Sequence, residues 1–155
     1  MVDLSTRYVG LNLAHPLVPS SSPLTKTLDS ARRLEDAGAS AIILPSLFEE
    51  KIEAEQQQME RFLFGQSTGY GEADSFHPIP AEIQTYQEHY LEHLRQLKET
   101  LAIPVIASLN GTSLGGWIEY GLALQQAGAD AIELNVYHLA ANAAETSVTV
   151  EHRYL

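Results

Sequence analysis

The chain has 155 residues, of which 45% are hydrophobic and 19% are charged, and this composition suffices for one core of ordinary domain size. Its formal net charge of -11 makes nucleic acid and anionic membrane surfaces poor partners, because their phosphate groups would be repelled. The absence of cysteine excludes disulfides, thiolate metal ligands and a cysteine nucleophile. No signal peptide or transmembrane run is apparent, so we expect a cytoplasmic protein with no membrane partner.

The periodicity of the apolar residues predicts alternating strands and helices along the chain. The first elements are a short hairpin turning at Gly10, a strand at 16–21, a helix at 27–37, a strand at 41–45 and a charged helix at 47–64. After a loop at 65–81 they continue with a helix at 82–100, a strand at 103–108, a helix at 113–127 and a strand at 131–136.

One segment of the chain is repeated. The sequence EDAGASAIILPS at 35–46 matches QQAGADAIELNV at 125–136, and both show the end of a helix, a glycine and an isoleucine-containing strand. Gly38 and Gly128 stand where a helix commonly ends on a left-handed residue. The repeat therefore indicates two similar α/β units.

Helices of this length between strands predict a parallel sheet and hence an α/β fold. The first strand is followed by SSSPLTKT rather than by the glycine-rich phosphate loop of an open dinucleotide-binding sheet. This favours the other common architecture, a TIM (β/α)8 barrel, which has eight strands in about 250 residues. With about four strands, residues 1–155 would form a single incomplete domain, the N-terminal half of such a barrel.

Polar residues follow each predicted strand, at the edge where barrels of this kind place their ligand sites. Serines and asparagines are also common in turns, so each of them has a purely structural alternative. As a set they form a neutral hydrogen-bonding surface suited to a heteroaromatic ring or an amide. The candidate ligand-binding residues are Ser20, Ser21, Ser22, Ser46, Asn110 and Asn135.

The segments GLNLAHPLVPSSSPL, EDAGASAIILPS, IPVIASLNG and AGADAIELNV occur in an order that resembles the N-terminal half of dihydroorotate dehydrogenase and its flavin-dependent relatives. The resemblance implies an FMN-dependent oxidoreductase of pyrimidine biosynthesis. Such an enzyme oxidises dihydroorotate or a related cyclic substrate by hydride transfer to the flavin. It also implies that the six candidate residues above contact the FMN cofactor.

The sequence departs from that family at three places. Tyr137 and His138 replace the Ser-Cys-Pro-Asn or Ser-Ser-Pro-Asn segment that carries the catalytic base, and His138 is the candidate substitute because imidazole titrates near neutrality. The second strand ends at Ser46 without the family's lysine. The loop at 65–81 shows no match to the segment that holds orotate in the family.

Other interpretations remain open. A non-catalytic half-barrel would bind a second half or another copy of the chain, since its outer strands would have unpaired edges. A barrel aldolase would need a Schiff-base lysine at a strand end, and the predicted strands have none. His89 and His93 have the spacing of zinc ligands on a helix, but a solvated helix face explains them better. Glu133 is expected to be a structural carboxylate held by a polar neighbour.

Overall fold

The computed structural model describes residues 2–64, 84–111, 113–136 and 142–152. It begins with an antiparallel hairpin of β1 (Thr6–Tyr8) and β2 (Leu11–Leu13), followed by a 3-10 turn at Pro23–Thr25. The remaining elements are α1 (Leu28–Asp36), β3 (Ile42–Phe48), α2 (Glu49–Phe64), α3 (Tyr86–Thr100), β4 (Val105–Asn110), α4 (Leu114–Gln126), β5 (Ala131–Asn135) and α5 (Ser147–Glu151). The hairpin is confirmed with Gly10 at its turn, where φ is +86°.

The central sheet is parallel and has the order β3-β4-β5, so the chain is an α/β protein as predicted. The predicted strand at 16–21 is wrong, and the sheet has three strands in the described residues instead of four. The carbonyls of Leu17 and Pro19 still accept hydrogen bonds, from Ser40 N just before β3 at 3.3 Å and from Ile43 N of β3 at 3.0 Å. Pro16 and Pro19 carry no N–H, so this segment cannot form a regular ladder.

The predicted helices agree with the structure to within two residues, except that the helix predicted to begin at 82 begins at Tyr86, while the strands at 41–45 and 103–108 end later than expected. Residues Ser147–Glu151 form the short helix α5. Residues 137–141, and with them His138, lie outside the described residues, as does the loop at 65–81.

The two faces of the sheet differ in what covers them. On one face, side chains of β3 and β4 pack against helices, in a core that includes Ala31 of α1, Leu94 of α3 and Leu124 of α4. On the opposite face, Ile106 packs with Leu13 of the hairpin. We call this second face the open face, because the described helices contribute their core residues to the other one.

A bulge in β3 changes which side chains reach the open face. The register with β4 shifts between Ile43 and Ser46, around Pro45, which has no N–H for the ladder. Strict alternation would place Leu44 and Ser46 on the same face. The extra residue instead puts Leu44 and Leu47 together in the helix-packed core and turns Ser46 to the open face beside Ser108.

The repeated segments have the same local structure, which confirms the prediction from their glycines. Gly38 and Gly128 adopt φ values of +93° and +98°, a conformation that glycine adopts without strain. The next residue in each copy bonds back into the helix, with Ala39 N donating to Leu34 O and Ala129 N to Leu124 O. This is the Schellman helix ending.

Glu49 connects the beginning of α2 to the beginning of α4. It is only 2% exposed, and its carboxylate accepts hydrogen bonds from the Ser113 N–H at 3.0 Å and the Ser113 hydroxyl at 2.5 Å. Ser113 in turn caps α4 by accepting from Gly116 N. A side chain at Gly116 would begin 2.1 Å from the Glu49 carboxylate, so glycine leaves the room that this contact needs. A carboxylate at a helix N-terminus is also favoured by the helix dipole.

We predict that Glu49→Ala lowers the free energy of unfolding by about 2–3 kcal/mol, because charge-assisted hydrogen bonds at a buried helix start are lost. Urea denaturation measures this change. Glu50→Ala removes the same charge from an exposed neighbouring position and should change stability by no more than about 0.5 kcal/mol. Equal losses for the two variants would contradict the structural role of Glu49.

Candidate functional site

Four polar side chains form a hydrogen-bonded row across the open face, which we call the polar row: Ser46, Ser108, Glu133 and Asn135. The hydroxyl oxygens of Ser46 and Ser108 lie 2.7 Å apart, and Ser108 Oγ donates to Glu133 Oε1 at 2.9 Å. Asn135 Nδ2 donates to Ser46 Oγ at 3.2 Å and to Ser108 Oγ at 3.1 Å. The row therefore joins all three strands of the parallel sheet.

The directions of these bonds determine what the polar row offers a ligand. Ser108 gives its proton to Glu133, so the Ser46 hydroxyl must be the donor in the bond between the two serines. Asn135 uses its amide group as the donor to both serines, which leaves its Oδ1 as an acceptor. Glu133 accepts through Oε1, and its second oxygen is a further acceptor. The row thus presents acceptors, suited to a ligand that carries N–H or O–H groups.

Asn110 extends this surface toward the end of β4. It pairs in register with Asn135, and its Oδ1 is buried without a hydrogen-bond partner in the described residues. A buried carbonyl without a partner is destabilising, and a ligand donor would relieve that cost. The two asparagines therefore present amide oxygens at adjacent positions of neighbouring strands.

Two tyrosines of α3 hold the backbone beneath the polar row. Tyr90 Oη accepts from Ser108 N at 3.3 Å and donates to Ser108 O at 3.4 Å, beside the bulge where the regular ladder is interrupted. Tyr86 Oη donates to Ser46 O at 3.3 Å. Burial raises the pKa of Tyr90 far above its usual range and also raises the pKa of Tyr86, so both phenols stay neutral near pH 7.

A second feature lies beside β3, where a cavity of about 470 Å³ opens between the 3-10 turn, α2 and α3. We call it the basic cavity, because its basic lining residues are Lys26, Lys51, His89 and His93. Ser21, Ser22 and Ser46 also line it, so Ser46 belongs to both features.

The predicted site residues therefore fall into groups. Ser46 and Asn135 are brought into one hydrogen-bonded cluster, and Asn110 is next to Asn135 in register. Ser21 and Ser22 line the basic cavity. Ser20 is exposed and belongs to neither feature in the described residues, while His138 lies outside them.

The histidines of α3 do not both lie on a solvated face as predicted. His89 is exposed, but His93 is half-buried, and its Nε2 is buried without a hydrogen-bond partner in the described part of the chain. Burial lowers the pKa of His93, the nearby His89 lowers it further, and a main-chain hydrogen bond at Lys26 acts in the opposite direction. Within the described residues, no group of three or more His, Cys, Asp or Glu side chains is placed to hold a metal ion.

Comparison of the chain with protein-family models and with curated protein sequences gives no match. Among the described helices, none combines the length and the apolar character required to cross a bilayer.

Sequence reasoning missed the residues that support the site from behind. Tyr90 lies in the predicted helix at 82–100, and nothing in that helix indicates a bond to a strand. Its hydrogen bonds to Ser108 lie beside a bulge in β3 that was not predicted. Pro45 was the residue in the sequence that could have indicated the bulge, since a proline inside an apolar strand is typical of an edge strand or a bulge. Glu133 is held by Ser108, as expected for a structural carboxylate with a polar neighbour.

We predict that Tyr90→Phe lowers the free energy of unfolding by about 1–3 kcal/mol, because the N–H and C=O of the buried Ser108 lose their shared partner. Tyr86→Phe removes a single bond from a less buried phenol and should cost less. Chemical denaturation of both variants provides the comparison. A Tyr90→Phe protein as stable as the unaltered chain would show that this hydroxyl does not support β4.

Proposed function

We propose that this chain is the N-terminal half-barrel of an FMN-dependent oxidoreductase of the dihydroorotate dehydrogenase type, with the polar row facing the reacting rings. The observation that carries the proposal is the row itself: interlocked serine, glutamate and asparagine side chains on the open face of a parallel sheet. Barrel enzymes place their chemistry toward the C-terminal ends of parallel strands, which is where Asn110 and Asn135 end β4 and β5.

The arrangement of layers supports a barrel over an open doubly wound sheet. A doubly wound sheet has helices on both faces, whereas a barrel has helices outside and side chains inside. The described helices contribute their core residues to one face, and the short hairpin packs on the other. Leu17 and Pro19 accept hydrogen bonds beside the free edge of β3, which is where a barrel would place a neighbouring strand.

The residues present fit the ring system of FMN. Its pyrimidine edge carries an N–H between two carbonyls, and the amide oxygens of Asn110 and Asn135 are acceptors that such an N–H requires. Ser46, Asn110 and Asn135 would therefore hold the ring, while Ser21 and Ser22 line the basic cavity.

The reaction proposed is oxidation of a cyclic dihydro substrate, in which the substrate loses a hydride and a proton. FMN, when bound, supplies the chemistry that accepts the hydride. The protein must take up the proton, and we propose His138 for this role because it stands where the resembling family has its base. Dihydroorotate or a related ring bearing N–H groups matches the acceptors of the polar row.

We predict that Asn135→Ala weakens FMN binding by about tenfold, because it removes an acceptor and also the donor that orients both serines. Quenching of flavin fluorescence, titrated into protein produced from the native gene, measures the dissociation constant. Asn12→Ala changes an exposed asparagine of the hairpin and is the matched control. Equal FMN affinity in the two variants would show that the polar row does not contact the flavin.

A second candidate function is a non-catalytic half-barrel that assembles with another half or with its own copy. The specific observation is an exposed apolar strip along α4 and β5: Ile118, Leu122, Ile132, Leu134 and Val136. In the described part of the sheet β5 pairs with β4 alone, so its other edge has backbone groups open to a further strand. An apolar strip beside an open edge is suited to another β/α unit.

This strip predicts association of the 155-residue chain when it is produced alone. Sedimentation velocity should give a mass above the 17.0 kDa of one chain, and Leu134→Lys should shift it toward the monomer. Leu24→Lys places the same charge at an exposed leucine of the 3-10 turn and should leave the association unchanged. A stable monomer of the unaltered chain would count against both a second half-barrel and a homo-oligomer formed through this edge.

A further inference from the structure

The basic cavity is distinct in position from the polar row. Leu44, which packs into the helix-covered core, lines it together with residues of α2 and α3. The polar row lies on the opposite face of the same strand, with Ser46 at the boundary between the two. The cavity therefore needs its own explanation.

Its charge is opposite to that of the molecule as a whole. The chain carries 20 acidic residues against 9 lysines and arginines, yet the described residues that line the cavity include two lysines and no Asp or Glu. Neither Lys26 nor Lys51 forms an ion pair with a carboxylate in the described residues. A concentration of positive charge in a cleft of an acidic protein attracts anions.

The walls of the cavity are largely aromatic and apolar. The Lys51 ammonium lies 5.0 Å from the centre of the Phe48 ring and 5.4 Å from that of Tyr86, so cation–π contacts hold it at the cavity. Leu44 and Pro45 contribute further apolar surface. Concave sites with apolar walls and a few polar groups are typical of small-molecule sites, and about 470 Å³ is within their usual range.

His93 supplies a polar group that protein contacts do not satisfy. It lines the cavity, and its Nε2 is buried with no hydrogen-bond partner in the described residues. An unsatisfied buried nitrogen is costly unless a ligand engages it.

We propose that the basic cavity binds a small aromatic carboxylate, with Lys51 and Lys26 pairing with the carboxylate and the Phe48 and Tyr86 rings contacting its apolar body. The aromatic walls favour a planar ring, and the lysines favour a single anionic group at its edge. This inference does not depend on flavin binding, because it rests on the side of β3 that faces away from the polar row.

Isothermal titration with 2-naphthoate tests the proposal, with the uncharged 2-naphthamide as the matched ligand. We expect naphthoate to bind and naphthamide to bind about tenfold more weakly, since a charge-assisted bond is lost. Lys51→Gln and Lys26→Gln should each weaken naphthoate binding by about tenfold, on the same physical grounds. Arg32→Gln removes one positive charge from an exposed position of α1 and should leave the affinity unchanged.

Equal binding of naphthoate and naphthamide, or equal effects of Lys51→Gln and Arg32→Gln, would overturn the proposal. Titration with FMN and riboflavin separates it from the flavin site. If Lys51→Gln weakens FMN but not riboflavin, the cavity serves the cofactor phosphate and the separate carboxylate site is wrong. If no flavin binds at all while naphthoate still binds through Lys51, the carboxylate site stands and the flavin proposal fails.

Discussion

The bulge at Pro45 is the constraint on which the polar row depends. Pro45 has no N–H to give to the ladder, and β3 inserts one extra residue there relative to β4. A one-residue shift exchanges the two faces of a strand. Leu47 therefore joins Leu44 in the core, and Ser46 turns to meet Ser108 and Asn135 on the open face. Tyr90 then bonds the backbone of Ser108 from the helix side.

Much of the secondary structure could be predicted from local patterns, because helix ends and parallel strands leave strong signals. Gly38 and Gly128 marked two helix ends correctly, since few residues other than glycine adopt that conformation at low cost. The strand at 16–21 failed because its apolar side chains have the right pattern while two prolines remove backbone donors. β3 was expected to stop at Pro45, whereas a bulge carries it on to Phe48.

The candidate site was less predictable, because it depends on register between strands distant in sequence. Placing Ser46 and Asn135 at one edge of the sheet was possible from the ends of the predicted strands, but their contact with Ser108 requires the bulge. Glu49 and the basic cavity were missed for a similar reason. Their partners come from separate elements of the chain. The local sequence around a charged residue at a helix start does not show whether its side chain is buried or exposed to solvent. His138 stays a prediction from sequence.

The central claim is that the polar row serves a flavin ring, and the visible absorption spectrum of the protein purified from its native gene tests it most directly. Our account predicts the two visible absorption bands of bound flavin, released as FMN on denaturation. A colourless protein whose spectrum incubation with FMN does not restore would contradict it. In that case the row would be a structural hydrogen-bond network, and the assembly function suggested by the apolar edge of β5 would take its place.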